Sequence, residues 1–197
     1  MAQFFATEIY RSTVKFDLKD LKKEIFQIRK VDQNGQKWSA ENYPCGYTSY
    51  GSMDQLHRLS STFEALQAKL DLHVNKYLKT LSYDARKGTL KLNSMWINVM
   101  ETGAQHTAHI HPHSVISGTY YVDVPAGASA IRFEDPRLGL FMNSPLVKAS
   151  APASKQRFVS LNPKAGEVVL FESWLKHEVP RHTGRRERIS ISFNYDW

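Results

Sequence analysis

The feature of the sequence with the clearest chemical meaning is a cluster of histidines. Four of the eight histidines in the chain lie in the stretch His106-Thr-Ala-His109-Ile-His111-Pro-His113. If this stretch forms a strand, side chains two positions apart point to the same face, so His109 and His111 present their imidazoles together. Histidine is the commonest side-chain ligand for first-row metals. The cluster therefore predicts a metal site, with a set of satisfied surface histidines as the alternative.

Two groups far downstream of the cluster complete the chemistry. His177 follows the apolar stretch 166–171, and a metal site between two sheets needs such a remote ligand because consecutive strands cannot surround an ion. In Arg188-Ile-Ser190-Ile-Ser192, alternation puts the arginine and both serines on one face. An arginine inside a barrel needs an anionic partner, and its planar fork matches a carboxylate. A salt bridge at the rim of the fold is the alternative for Arg188.

The elements that must position these residues change character near Thr89. Before it, Asp17 to Lys30 and a longer segment from an N-cap at Ser52 to Lys79 carry apolar residues at three- and four-residue spacing, which predicts two helices. After it, turn sequences separate short strand-like segments. We predict strands at Leu90–Met100, Thr107–His111, Val115–Val124, Ala128–Phe133, Phe158–Leu161, Val168–Phe171 and Ile189–Tyr195.

Six to eight short strands after a helical start are typical of a mainly β protein. We expect a jelly-roll core with the N-terminal α-helices packed outside it. The length of 197 residues suits one domain, residues 1–197, made of a mostly helical part, 1–88, and the jelly-roll core, 89–197.

The composition limits the partners and the location of the protein. With 42% hydrophobic residues and no apolar run near the roughly 20 residues of a membrane span, the sequence predicts a globular protein without one. The N-terminus lacks the features of a signal peptide, and the single cysteine, Cys45, has no partner for an intrachain disulfide, so we expect a cytoplasmic protein. The net charge of +7 is spread along the chain, which favours a solvated basic face over a nucleic-acid surface.

The order of the motifs resembles that of the 2-oxoglutarate and Fe(II)-dependent oxygenases, in particular their prolyl-hydroxylase-like branch. A His-x-His motif is followed by a Tyr-Tyr strand, then by Phe171 and His177, and then by Arg188-x-Ser190, over the segment 96–197. The resemblance implies a double-stranded β-helix, the jelly-roll form of this family. It also implies that Fe(II), 2-oxoglutarate and O₂ are used to oxidise a substrate that the sequence does not identify, while 2-oxoglutarate is decarboxylated to succinate and CO₂.

The same resemblance assigns roles to individual residues. His109 and His177 are expected to bind iron, and Arg188 is expected to pair with the far carboxylate of 2-oxoglutarate. The co-substrate pocket should also include Tyr121, Thr119, Ser190 and Ser192. The remaining cavity residues are expected to be Trp96, Asn98, Ser117 and His113, and His113 is also an alternative iron ligand.

One position departs from the family pattern. The second ligand of the first motif is usually an aspartate or glutamate, and here it is His111. We predict that His111 joins His109 and His177 in a three-histidine site, with 2-oxoglutarate supplying the compensating negative charge. The alternative is that an acid from elsewhere, such as Glu134 or Asp135, completes the site.

Two other functional classes share the jelly-roll core. A cupin fits the spacing from Gly103 to His109, but the glutamate that it needs four or five residues after His111 is absent, and it gives Arg188 no role. A non-catalytic binding module that keeps the barrel but has lost turnover is the third class, because the acidic ligand is missing. The cupin separates from the oxygenase on whether 2-oxoglutarate binds beside the metal, and the non-catalytic module separates on whether 2-oxoglutarate is consumed.

Overall fold

The computed structural model describes residues 2, 4–84 and 90–197, which form two antiparallel sheets and four α-helices. The helices are α1 (Leu18–Val31), α2 (Gln33–Asn42), α3 (Leu56–Leu59) and α4 (Ser61–Leu81). The strands are β1 (Tyr10–Thr13), β2 (Gly46–Thr48), β3 (Lys91–Met100), β4 (His106–His109), β5 (Ile116–Asp123), β6 (Ile131–Glu134), β7 (Phe158–Leu161), β8 (Glu167–Glu172), β9 (His177–Val179) and β10 (Arg188–Asp196).

The sheet topology is that of a jelly roll. One sheet has six strands in the order β1-β8-β5-β10-β3-β2, and the other has four in the order β4-β9-β6-β7. Neighbouring strands in both sheets run antiparallel. The mainly β, double-stranded β-helix predicted from the sequence is therefore confirmed.

The alternation of β10 separates two environments. Ile189, Ile191 and Phe193 are fully buried in a core that the six-stranded sheet shares with the helices, against residues such as Phe63 of α4. The intervening side chains, from Arg188 onward, point into the space between the two sheets and line a cavity there. The hydrophobic contacts of one face of the strand thereby fix the polar face inside the barrel.

The second predicted helix begins later than expected. The N-cap prediction at Ser52 is wrong, because α3 and α4 are separate helices that meet at Ser60. Ser60 has extended backbone dihedrals and caps α4 by accepting a hydrogen bond from the Thr62 backbone N–H at 3.2 Å. The Ser52 hydroxyl instead donates to the Asp32 carboxylate at 2.6 Å. The apolar residues have the same helical spacing before and after Ser60, so the spacing alone did not reveal that α3 and α4 are separate helices.

Several elements were not predicted. Strands β1, β2 and β9 are only three or four residues long, and α2 lacks an apolar stripe. Helix α2 is held by tertiary contacts around the buried Asp32, whose carboxylate accepts from the Gly35 backbone N–H at 2.9 Å and from the Tyr47 hydroxyl at 2.8 Å. The predicted boundary between residues 88 and 89 lies outside the described residues. Within the described ranges, none of the helices has the length and hydropathy needed to cross a bilayer.

Candidate metal centre

Three histidines converge between the two sheets. His109 ends β4 and His177 begins β9, and the two residues are paired across the ladder of the smaller sheet. His111 lies in the turn that follows β4, so it reaches the same place from a loop and not from a strand. Each of the three offers a ring nitrogen, and these atoms lie within 4.8 Å of one another. In the part of the chain that the structure describes, this is the one cluster with metal-binding geometry.

The Nδ1 atom of each of these histidines already has a hydrogen-bond partner in the protein. His109 Nδ1 lies 2.6 Å from the backbone oxygen of Thr107, and His177 Nδ1 lies 2.9 Å from that of Leu175. A carbonyl oxygen only accepts, so both rings carry the proton on Nδ1 and leave the Nε2 lone pair free. His111 Nδ1 is bonded to the side chain of Asn194 at 2.6 Å. Such outer hydrogen bonds are what orients histidines that bind metals.

The pKa values of His111 and His177 are both lowered in the folded protein, which favours their neutral form. Burial lowers the pKa of His177 to about 3, and the neighbouring His109 adds to the effect. Burial is also the main cause that lowers the pKa of His111, and its hydrogen bond to Asn194 opposes the shift. A neutral imidazole has a lone pair to give to a metal, so these pKa values favour metal binding at neutral pH.

A cavity of about 60 Å³ lies beside the three histidines. Arg188 also lines it and is 2% exposed; its Nη1 lies 3.4 Å from Met100 Sδ and 3.4 Å from Ser190 Oγ, which is long for a hydrogen bond to oxygen. Arg188 Nε and the buried Tyr121 hydroxyl have no hydrogen-bond partner among the described residues. Asn98 Oδ1 is in the same condition. Because a buried polar group without a partner is costly, the two unpaired donors, Arg188 Nε and the Tyr121 hydroxyl, indicate an anionic guest, whereas the Asn98 oxygen is an acceptor and calls for a donor.

Most of the residues predicted for the cavity do line it. In addition to the three histidines and Arg188, the lining contains Trp96, Asn98, Thr119, Tyr121, Ser190 and Ser192. Ser117 is buried behind His111, to which its hydroxyl is hydrogen-bonded at 3.0 Å, and is not among the lining residues. His113 is exposed and has a positive φ of 67°, so the expectation that it lines the cavity is not met.

The acids considered as a third ligand lie in other contacts. Glu134 pairs with Lys176 at 3.2 Å, and Asp135 pairs with Arg137 at 2.9 Å. Neither is part of the metal-binding cluster, and among the described residues no carboxylate lines the cavity. The structure thus offers His111 for the position that an acid usually takes.

Sequence reasoning missed two residues of the site. His106 lines the cavity, its Nε2 is 2.8 Å from the Tyr43 hydroxyl, and its ring centroid is 6.5 Å from that of His109. Regular alternation would put residues 106 and 109 on opposite faces, but the register of β4 shifts between them. Asn194 continues the inward face of Ser190 and Ser192, and following that alternation two residues further would have revealed it.

Three imidazoles beside a buried arginine that has no acidic partner among the described residues, inside a double-stranded β-helix, are the arrangement of a metal-dependent enzyme with room for an anionic small molecule. The family model described as "Putative 2OG-Fe(II) oxygenase" matches residues 94–194, about half of the chain. The chain belongs to this family, and it is an Fe(II)- and 2-oxoglutarate-dependent oxygenase, hence an oxidoreductase. This membership decides against a cupin. No curated protein matches the chain.

Solved structures share the fold at low sequence identity. HygX from Streptomyces hygroscopicus, with nickel and 2-oxoglutarate bound, is 13% identical, with a TM-score of 0.60 over 97% of this chain and 83% of that one. The epimerase SnoN from nogalamycin biosynthesis is 12% identical, with a TM-score of 0.66 over 97% and 77% of the two chains. A Pseudomonas putida prolyl-4-hydroxylase is 14% identical, with a TM-score of 0.56 over 96% and 92%.

Proposed function

We propose that His109, His111 and His177 hold Fe(II) in this oxygenase. The observation that carries the proposal is the convergence of three ring nitrogens within 4.8 Å, with the Nδ1 atom of each ring engaged elsewhere. Three ligands on one face of an octahedral ion leave positions for a chelating co-substrate and for O₂. When bound, Fe(II) and 2-oxoglutarate supply the oxidation of a substrate C–H bond, coupled to decarboxylation.

Arg188 is the anchor for the far carboxylate of 2-oxoglutarate in this proposal. Its guanidinium is buried beside the histidines, and its Nε and the Tyr121 hydroxyl are donors that find no acceptor among the described residues. A carboxylate would satisfy both donors at once. Thr119, Ser190 and Ser192 complete the polar wall around it.

Charge balance explains how a site without a carboxylate can hold Fe(II). The three imidazoles contribute no charge, and Arg188 adds one positive charge close to the metal. Doubly charged 2-oxoglutarate offsets the charge of Fe(II) directly. We therefore expect metal and co-substrate to bind cooperatively, each raising the affinity for the other.

The test is the visible charge-transfer band that forms when 2-oxoglutarate chelates Fe(II) under anaerobic conditions. Wild type should show the band, His177→Ala should not, and Arg188→Ala should need far more 2-oxoglutarate. His73→Ala is a matched control, since His73 lies on α4 and bonds to Tyr10 outside the cavity. Iron binding without the band would refute the 2-oxoglutarate assignment. A normal band without succinate production over a substrate panel would favour the non-catalytic module.

The substrate is proposed to be a small molecule that enters by a groove beside His109. The groove has a volume of about 470 Å³, is also lined by Tyr43 and His106, and lies next to the cavity that holds Arg188. Two proteins of the same fold bind small molecules, HygX hygromycin B and SnoN nogalamycin RO. Among the described residues that line the groove, Arg181 is the one with a permanent charge and none is acidic. A substrate with an anionic group fits this lining best.

The substrate proposal is tested by succinate release over a panel of small hydroxylated carboxylic acids, each paired with its amide. The acids should stimulate release more than their amides do. Arg181→Gln should raise KM for the acids without changing the affinity for 2-oxoglutarate. Equal stimulation by acids and amides, or no effect of the substitution, would contradict an anionic substrate.

A further inference from the structure

A hydrogen-bonded network of four side chains lies behind His111. It consists of Ser94, Ser117, Ser173 and Asn194, which we call the Asn194 network, and all four side chains are buried. Asn194 Oδ1 lies 2.6 Å from His111 Nδ1 and 2.8 Å from the Ser117 hydroxyl. The other end of the amide, Nδ2, lies 3.3 Å from Ser94 Oγ. Ser117 is also 2.7 Å from Ser173 Oγ.

The protons of the Asn194 network can be placed in a consistent way when His111 carries its proton on Nδ1. Ser173 donates to Ser117, Ser117 donates to Asn194 Oδ1, and the Asn194 amide donates to Ser94. Asn194 Oδ1 then accepts from His111 Nδ1–H, and Ser117 Oγ lies 3.0 Å from the same nitrogen. With the amide in this orientation, a proton on His111 Nε2 would leave two acceptors facing each other across 2.6 Å, whereas the turned amide would donate from Nδ2 to His111 Nδ1 and place the proton on Nε2. The orientation of the Asn194 amide therefore selects the tautomer, and the orientation in the structure leaves Nε2 free for a metal.

His111 differs from the other two histidines in how it is held. Thr107 and Leu175 hold His109 and His177 through backbone oxygens, which no substitution removes. His111 depends on a side chain from a remote strand. A carboxylate at this position would have no tautomer to select, so the histidine needs support that the usual acid does not.

We propose that Asn194 is a positioning residue that makes His111 a metal ligand by fixing its tautomer and ring orientation. This inference rests on the proposed three-histidine iron site. In this proposal the Asn194 network allows a histidine to act as the ligand at the position where the family usually has a carboxylate. Outer-shell partners of metal-binding histidines affect metal affinity by about 10- to 100-fold.

The experiment compares three variants with wild type. Asn194→Leu removes the acceptor at similar volume, and Asn194→Asp keeps an acceptor for His111 Nδ1–H. Tyr195→Phe is the matched control, because its hydroxyl lies 2.5 Å from Asp71 Oδ1 on the opposite face of the same strand. The readouts are Co(II) affinity, the position of the anaerobic Fe(II)–2-oxoglutarate band, and the free energy of unfolding.

Asn194→Leu should weaken Co(II) binding by about 10- to 100-fold and shift the band to higher energy, because a poorly held imidazole donates less charge to the metal. Asn194→Asp should bind Co(II) at least as tightly as wild type and shift the band to lower energy. Tyr195→Phe should lose stability without changing either metal readout. Opposite band shifts at one position would not arise from a purely structural role.

Three outcomes would overturn the inference. The first is that Asn194→Leu has the same Co(II) affinity and the same band position as the control Tyr195→Phe. This result would exclude the role of Asn194 but would not contradict the proposed iron site. The second, which applies even if Asn194→Leu does not fold, is a ¹⁵N NMR spectrum of metal-free wild type with the His111 proton on Nε2. The third is wild type that binds neither Co(II) nor Fe(II), which would refute the proposed iron site as well.

Discussion

Replacing Arg188 with methionine should stabilise the ligand-free protein and abolish tight 2-oxoglutarate binding. In the ligand-free protein the guanidinium is 2% exposed, no acid lines the described cavity, and its nearest side-chain partners are 3.4 Å away. Replacing buried charges with apolar groups is neutral to about 4 kcal/mol stabilising. The guanidinium lies over the Tyr121 ring at 5.0 Å, a contact of about 1 kcal/mol that the variant loses. We expect a net gain of about 1–2 kcal/mol.

The same substitution has the opposite effect once 2-oxoglutarate is present. Without Arg188 the far carboxylate is buried and unpaired, at a cost of about 3–5 kcal/mol, or roughly two to three and a half orders of magnitude in affinity. A ligand at 100 times its Kd stabilises wild type by about 2.7 kcal/mol. The order of stability of the two proteins should therefore reverse when 2-oxoglutarate is added to the metal-loaded forms.

Thermal denaturation with and without Co(II) and 2-oxoglutarate measures both effects, since 1 kcal/mol corresponds to about 2–4 °C in a chain of this size. Arg11→Met is the control, because Arg11 is paired with Glu167 at 2.8 Å near the surface. It should lose at most about 1 kcal/mol and keep its response to 2-oxoglutarate. If Arg188→Met is the less stable protein without ligand and still responds to 2-oxoglutarate, the guanidinium is structural and the assignment fails.

Three further predictions concern other groups of the site. His111→Asp should still bind iron, and its metal affinity, measured by titration, should depend less on 2-oxoglutarate than that of wild type; loss of iron would contradict His111 as a ligand. Tyr121→Phe should weaken 2-oxoglutarate binding by about 10-fold or more without a loss of stability, because its hydroxyl has no described protein partner; an unchanged Kd would exclude this contact. Burial lowers the pKa of His106 and of His177 to about 3, from an ordinary value of 6.5, so the unfolded chain binds more protons between these pH values. The metal-free protein should therefore lose stability as the pH falls from about 6.5 towards 3, by up to about 1.4 kcal/mol per pH unit for each histidine. When the free energy of unfolding is measured by denaturant titration at several pH values, that of His106→Asn should fall less steeply with falling pH than that of wild type.

The parts of the fold that could be predicted from the sequence are those with local periodicity. The alternation from Arg188 to Ser192 predicted which side chains point inward, because hydrophobic contacts on one face of a strand determine the other. Strand β7 has the predicted bounds, and β3, β5, β8 and β10 differ from theirs by one residue at one or both ends. Helix α2 could not be predicted in this way, since contacts around Asp32 hold it and no apolar pattern does.

The candidate site was predictable where it follows regular geometry and not where it departs from it. His109 and His111 do converge, but the strand ends at His109 and a turn brings His111 into place. His106 enters the site through a register shift in β4, which no spacing rule indicates. Asn194 lies on the predicted inward face, yet its role depends on a hydrogen bond to a residue 83 positions away.

The histidine at position 111 is better explained as a built ligand than as the loss of an acid. A vestigial site would have no reason to keep Nδ1 of all three imidazoles hydrogen-bonded, or to hold a buried arginine that has no acidic partner in the described part of the chain. The cost of that arginine is offset only when an anion enters the cavity. The proposed three-histidine iron centre, which has no carboxylate among the described residues, would gain from the same anion. Metal affinity and co-substrate affinity should therefore be linked in this protein more strongly than in relatives whose acid neutralises the metal from the start.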